Sequence, residues 1–184
     1  MLLHRLPGSR NYVNMADIKN PRRSKSPKTP NARPGRATEG DLRRAIELLF
    51  FAYRDFTGEA DRVLARHGFG RAHHRVIYFV GRHPGMTVSQ LLGLLRITKQ
   101  SLARVLGQLV DEGFVRQGSD AGDRRRRLLT LTDKGRELER RLTRCQSDLI
   151  SAAIDGAGPG AVEGFEKILR GIVNPADRKR FENT

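Results

Sequence analysis

The sequence predicts a mainly α-helical domain that carries one small β-hairpin and follows a tail without regular structure. Three observations support this. From Asp41 onward, apolar residues recur three and four apart through six segments, the spacing that lines one face of a helix. Between the fourth and fifth segments, two short β-prone runs flank a Gly/Asp-rich loop, the pattern of a hairpin. Residues 1–38 show neither periodicity.

The tail comes first. It holds six Arg, three Lys and one Asp, a net of +8, and a Pro/Ser/Lys/Arg-rich run from Asn20 to Arg36. Such a composition buries too little surface to offset the entropy of ordering, which predicts disorder over 1–38. It serves either as a solubilising tail or as a basic arm on phosphates. Met15 is a second candidate start, and no long apolar core precedes Pro7, which predicts no secretory leader.

The first helix is read from Leu42, Ile46, Leu49, Tyr53, Phe56, Ala60 and Val63, which form a heptad-like seam closed by Gly68. That seam packs either inside the domain or against a second subunit. A second helix covers 71–82 and stops at His83-Pro84-Gly85. Thr87 caps a short third helix carrying Val88, Leu91, Leu92 and Leu95. Thr98 caps a fourth, with Leu102, Val105, Leu106, Leu109 and Val110 on one face and Gly113 at its end. The runs 114–117 and 127–131 form the hairpin, with its loop from Gly118 to Arg126. Thr132 and Asp133 open a long helix to about Ala153, whose seam is Leu138, Leu142, Cys145, Leu149 and Ala152. A last helix holds Val162, Phe165, Leu169 and Ile172.

Two short helices joined by a tight turn, followed by a basic hairpin, make a winged helix-turn-helix. The fourth helix buries its apolar stripe and leaves Thr98, Lys99, Gln100, Ser101, Ala103 and Arg104 on the opposite, free face. Arg and Lys read guanine O6 and N7, Gln pairs with adenine, and Ala or Ser touches a thymine methyl or a phosphate. The alternative for such a face is plain solvation. The hairpin loop adds Arg124, Arg125, Arg126 and Arg127 in succession, suited to a narrow minor groove. Asp123 beside them orients the loop by accepting hydrogen bonds. The expected partner is double-stranded DNA, not a membrane.

The charge agrees. The chain has 184 residues and a net charge of +15, so residues 39–184, with 26 basic and 19 acidic side chains, keep +7. Charge of this size predicts polyanion partners. No apolar run approaches the roughly 18 residues of a membrane span. One Cys excludes an internal disulfide and an all-Cys zinc site. These features predict a cytoplasmic protein. Cys145 on an apolar seam reads as an inert small hydrophobe. His67, His73, His74 and His83 read as surface or interface histidines rather than metal ligands. No cofactor is expected, and no catalytic motif is present, which predicts a non-enzyme.

The stretches Thr87-Val-Ser-Gln-Leu-Leu, Ile97-Thr-Lys-Gln-Ser-Leu-Ala-Arg104, Leu109-Val-Asp-Glu-Gly-Phe-Val115 and Asp120-Ala-Gly-Asp-Arg-Arg-Arg-Arg-Leu-Leu-Thr-Leu-Thr-Asp-Lys-Gly135 resemble the core of MarR-family transcriptional regulators. The most specific part is Asp123, Arg125, Leu131, Thr132 and Gly135. In helix order the resemblance extends over about 41–173. It implies a homodimer with dimerisation helices in 39–68 and 132–184, flanking a DNA-binding domain over 69–131. It also implies that Arg125 enters the minor groove, and that Tyr53, Arg71 and His74 border a crevice for a small anionic or aromatic effector. The function expected is a repressor that binds a pseudo-palindromic operator. The alternative is a basic structural or docking module without sequence preference.

Overall fold

The computed structural model describes residues 37–119 and 127–181. The predicted tail, apart from Ala37 and Thr38, and the hairpin residues 120–126 lie outside the described residues. The chain divides at Leu42 into two units, and the packed core belongs to the second.

Helix α1 spans Glu39–Ala65 and is capped reciprocally. The Asp41 N–H donates to Thr38 Oγ1 at 3.2 Å, and the Thr38 N–H donates to Asp41 Oδ2 at 3.0 Å. Helix α2, Arg71–Arg82, follows a short turn. Strand β1 is only Met86–Thr87, and Thr87 then accepts from the Gln90 N–H to cap α3, Val88–Leu95. Helix α4 spans Lys99–Asp111 with Thr98 as its cap. Strands β2, Val115–Ser119, and β3, Arg127–Leu131, pair antiparallel with Val115 opposite Leu131 and Ser119 opposite Arg127. Helix α5 covers Asp133–Ala157, again capped by a threonine, Thr132. Helices α6, Ala161–Ile172, and α7, Pro175–Arg178, end in a 3-10 turn, Lys179–Phe181.

The fold is therefore mainly helical with a small sheet, as predicted, with α7, the closing 3-10 turn and a third strand added. The sheet has three strands in the order β1-β3-β2, because Met86 and Thr87 pair with Leu129 and Leu128. Two residues carry no strand periodicity, so β1 forms only where β3 offers an edge.

The core gathers Leu64 from α1, Val76, Ile77 and Val80 from α2, Leu91 from α3, and Leu102, Val105 and Leu109 from α4. Phe114, Leu129 and Leu142 complete it. The heptad seam read along α1 meets this core only at its C-terminal end. Ala60 is buried, but so are Thr57 and Leu64, while Leu42, Ile46, Leu49 and Tyr53 are exposed. Every residue from 39 to 55 is exposed, so only the C-terminal half of α1 packs on the core. The seam of α5 divides likewise: Leu138 and Leu142 are buried, Cys145 is half-buried and Leu149 is exposed. Among the described residues no helix is long and apolar enough to cross a membrane.

Candidate nucleic-acid interface

Helix α4 is placed by both of its ends. At the start, the Ser101 N–H donates to Thr98 Oγ1 at 3.1 Å, and the Thr98 hydroxyl donates to Ser101 Oγ at 2.8 Å. Thr98 is thus a cap as well as a member of the predicted face. Before it, Arg96 adopts a left-handed conformation (φ 51°, ψ 41°) that ends α3 and turns the chain into α4. Its side chain pairs with Asp177 of α7 at 3.0 Å. The sequence offered no sign of that pair, since the residues lie far apart in the chain.

At the other end, Gly113 takes φ 74° and the Phe114 N–H returns to the Leu109 carbonyl at 2.8 Å. This is the left-handed termination that favours glycine. The first turn of α5 then closes on the same place. The Thr132 N–H donates to the Phe114 carbonyl at 3.1 Å, and its Oγ1 donates to the Gly113 carbonyl at 2.7 Å. Gly135 lies so close that a Cβ there would stand 2.0 Å from the Phe114 oxygen. The Leu-Thr-x-x-Gly pattern thus joins α5 to the end of α4.

Between these ends, Leu102, Val105, Leu106 and Leu109 face the core. Thr98, Lys99, Gln100, Ser101, Ala103 and Arg104 are all exposed. The structure therefore brings the six predicted residues of this helix together on a solvent face at its N-terminal end. Arg127 is exposed on β3. Asp123, Arg124, Arg125 and Arg126 lie outside the described residues.

A second predicted cluster also comes together. Tyr53 of α1 and Arg71 and His74 of α2 line one cavity of about 420 Å³. Arg71 lies over the Tyr53 ring at 5.3 Å and donates to Asp61 at 2.9 Å, a bond that raises its pKa further. Burial holds the His74 imidazole below its ordinary value of 6.5, offset in part by Asp61 and Glu139, while Arg75 pushes it further down. Arg75, Tyr78 and Phe79 of α2 and Thr143, Gln146 and Ser147 of α5 also line it, beside Phe56 and Thr57 of α1 and Ile150 of α5, and were not singled out for this cavity from the sequence. Their three- and four-residue spacing from 71 to 79 and from 143 to 147 was the available signal.

Of the other histidines read from the sequence, His83 is exposed and His67 and His73 are packed. His73 stacks on Phe69 with centroids 4.7 Å apart, and His67 meets Phe114 edge-on at 5.3 Å. Among the described residues no group of three or more His, Cys, Asp or Glu is arranged to hold a metal ion.

Known proteins agree with this architecture. A family model described as MarR family matches residues 67–126. The HTH-type transcriptional regulator PetP of Rhodobacter capsulatus is 48% identical over 145 residues, 79% of this chain and 87% of that protein. The crystal structure of Streptococcus pneumoniae FabT in complex with DNA has a TM-score of 0.61 at 23% identity, covering 72% of this chain and 94% of that one. The crystal structure of MarR has a TM-score of 0.55 at 23% identity, covering 74% and 98%. The two structural likenesses show the fold, and the identity to PetP extends it to family. The chain belongs to the MarR family of winged helix-turn-helix, DNA-binding transcriptional regulators.

Proposed function

We propose that the protein is a homodimeric repressor that reads a pseudo-palindromic operator with the N-terminal face of α4. The observation that carries this reading is the exposure of Thr98, Lys99, Gln100, Ser101, Ala103 and Arg104 opposite the buried Leu102, Val105, Leu106 and Leu109. Lys99, Gln100 and Arg104 specify bases, while Thr98, Ser101 and Ala103 make phosphate and methyl contacts. Arg124, Arg125 and Arg126 follow the minor groove, oriented by Asp123. Two copies place their reading helices about 34 Å apart, one turn of DNA. The helices within 39–68 and 132–184 form the dimer, and the domain over 69–131 binds DNA. Exposed apolar side chains on α1 and α6 support this: Phe50 is 73% exposed and Ile168 is 65% exposed, and a large apolar surface of this kind marks an interface. A regulator of the chromosome works in the cytoplasm.

The cavity under α1, α2 and α5 takes a small aromatic anion as effector. Its guanidinium and imidazole groups at Arg71, Arg75 and His74 stand beside the rings of Tyr53, Phe56 and Tyr78. An occupant that changes the helix spacing releases the operator.

The test is a gel shift on the duplex that the wild-type chain selects from a random-sequence pool. Arg104→Ala and Arg125→Ala should each weaken binding by about 5- to 150-fold, a loss of roughly 1–3 kcal/mol per base or groove contact. Wild-type binding by both variants overturns the assignment. Equal affinity of the wild type for every duplex favours the docking module without sequence preference.

A further inference from the structure

The C-terminal end of α4 is tied to two walls of the cavity. On the α2 side, the Gly70 N–H donates to His73 Nδ1 at 3.1 Å. A ring nitrogen that accepts carries no proton, so the hydrogen sits on Nε2 and is donated to Gln108 Oε1, 2.9 Å away on α4. Phe69, stacked on the imidazole with 9° between the planes, fixes the ring. Gln108 then donates through Nε2 to Glu112 Oε1 at 2.9 Å. On the α5 side, Lys134 Nζ donates to the Glu112 carbonyl at 2.8 Å and sits 4.1 Å above the Phe114 ring. Glu112 is thus reached from α2 through its carboxylate and from α5 through its carbonyl. The same two helices wall the cavity, through His74 and Tyr78 on α2 and Thr143 and Gln146 on α5.

None of these contacts lies on the face assigned to DNA. We infer that His73, Gln108 and Lys134 are positioning residues for DNA reading. They clasp the end of α4 so that the separation of α2 and α5 sets the tilt of the reading face. This rests on the proposal that α4 reads DNA. The geometry of a lever gives the sensitivity. Helix α4 has 13 residues and is about 20 Å long, so a tilt of about 10° moves its first turn by roughly 3 Å. Hydrogen bonds to base edges do not survive a displacement of that size.

The test measures the affinity of the full chain for its selected duplex and for an unrelated duplex of equal length, across a salt series. His73→Phe keeps the stack on Phe69 and removes both hydrogen bonds, and Lys134→Met keeps the stem over Phe114 and removes the donor. Each should lose about tenfold on the selected duplex, the loss expected for one charged or buried hydrogen bond. Binding to the unrelated duplex should stay within about twofold, and the salt slope should not change. Lys134→Arg should restore affinity. The pair His73→Phe with Gln108→Met should lose no more than either alone, since each cuts the same path from α2 through Gln108 to Glu112. Gln108→Met also serves if His73→Phe lowers the melting temperature enough to obscure binding. A loss that is equal on both duplexes, with a shallower salt slope, makes Lys134 a phosphate contact and overturns the inference. Wild-type discrimination in His73→Phe, Gln108→Met and Lys134→Met overturns it as well. Lys99→Ala and Arg104→Ala run alongside separate the two claims. If those two lose nothing, the reading of α4 itself fails and the clasp loses its purpose.

Discussion

Replacing Gly135 by alanine places a methyl carbon 2.0 Å from the Phe114 carbonyl oxygen and 3.3 Å from Leu131 Cβ. A carbon meets an oxygen without repulsion at about 3.3 Å, so the first turn of α5 must retreat by more than about 1 Å from the end of α4. That retreat stretches the Thr132 bonds to Phe114 and Gly113, now 3.1 and 2.7 Å, out of range. Two lost hydrogen bonds cost about 2 kcal/mol. Overpacking against backbone adds about 1–3 kcal/mol. Alanine recovers about 1 kcal/mol through helix propensity. The net is a loss of about 3 kcal/mol, or roughly 6–12 °C in melting temperature for a chain of this size. Urea unfolding followed by far-UV circular dichroism at fixed protein concentration measures it. Gly164→Ala on α6 is the control, because no heavy atom lies within 4 Å of the added carbon. It should gain about 0.5–1 kcal/mol. A Gly135→Ala chain as stable as the wild type would falsify the close approach and, with it, the joint between α5 and α4.

Three further outcomes are expected. Leu109→Ala, at a position with no exposed surface on the inner side of α4, should cost about 3 kcal/mol in the same urea experiment, and a change under 1 kcal/mol would contradict the packing. His74 binds a proton more weakly in the folded chain than in the unfolded one, because burial holds its pKa below 6.5. The unfolded state therefore takes up protons first, and stability should decline as the pH falls below 6.5 and level off once the folded imidazole also titrates. His74→Gln should flatten that decline in a melting-temperature series, and an unchanged slope would place the titration elsewhere. Phe50→Asp with Ile168→Asp should shift the chain from dimer to monomer in sedimentation velocity and weaken operator binding by at least tenfold, whereas a persistent dimer would move the interface away from α1 and α6.

Helices α3, α4 and α5 were legible because their signals are local. Thr87, Thr98 and Thr132 stand before apolar runs, and each accepts a hydrogen bond from an N–H three residues on, as a cap does. The free face of α4 follows from the same arithmetic, since five apolar residues at helical spacing leave one side for Lys99, Gln100 and Arg104. The cavity was legible only in part. Tyr53, Arg71 and His74 entered through the family resemblance, but Gln146 and Ser147 reach the same space from α5, roughly seventy residues along the chain from α2.

What the sequence determined by itself is the six longer helices, the threonine caps of α3, α4 and α5, and the polar face that one of them turns outward. These depend on residues within a turn or two of each other, where propensity and periodicity act. Tertiary structure alone decided the rest. It paired Met86 with Leu129 into a third strand, moved the buried stripe of α1 toward Leu64, and set Asp177 against Arg96. It also brought His73 and Lys134 to the two sides of Glu112 by way of Gln108 and the Glu112 carbonyl. Such contacts depend on how elements pack after the chain has turned back on itself, and packing selects among faces that local sequence leaves equivalent.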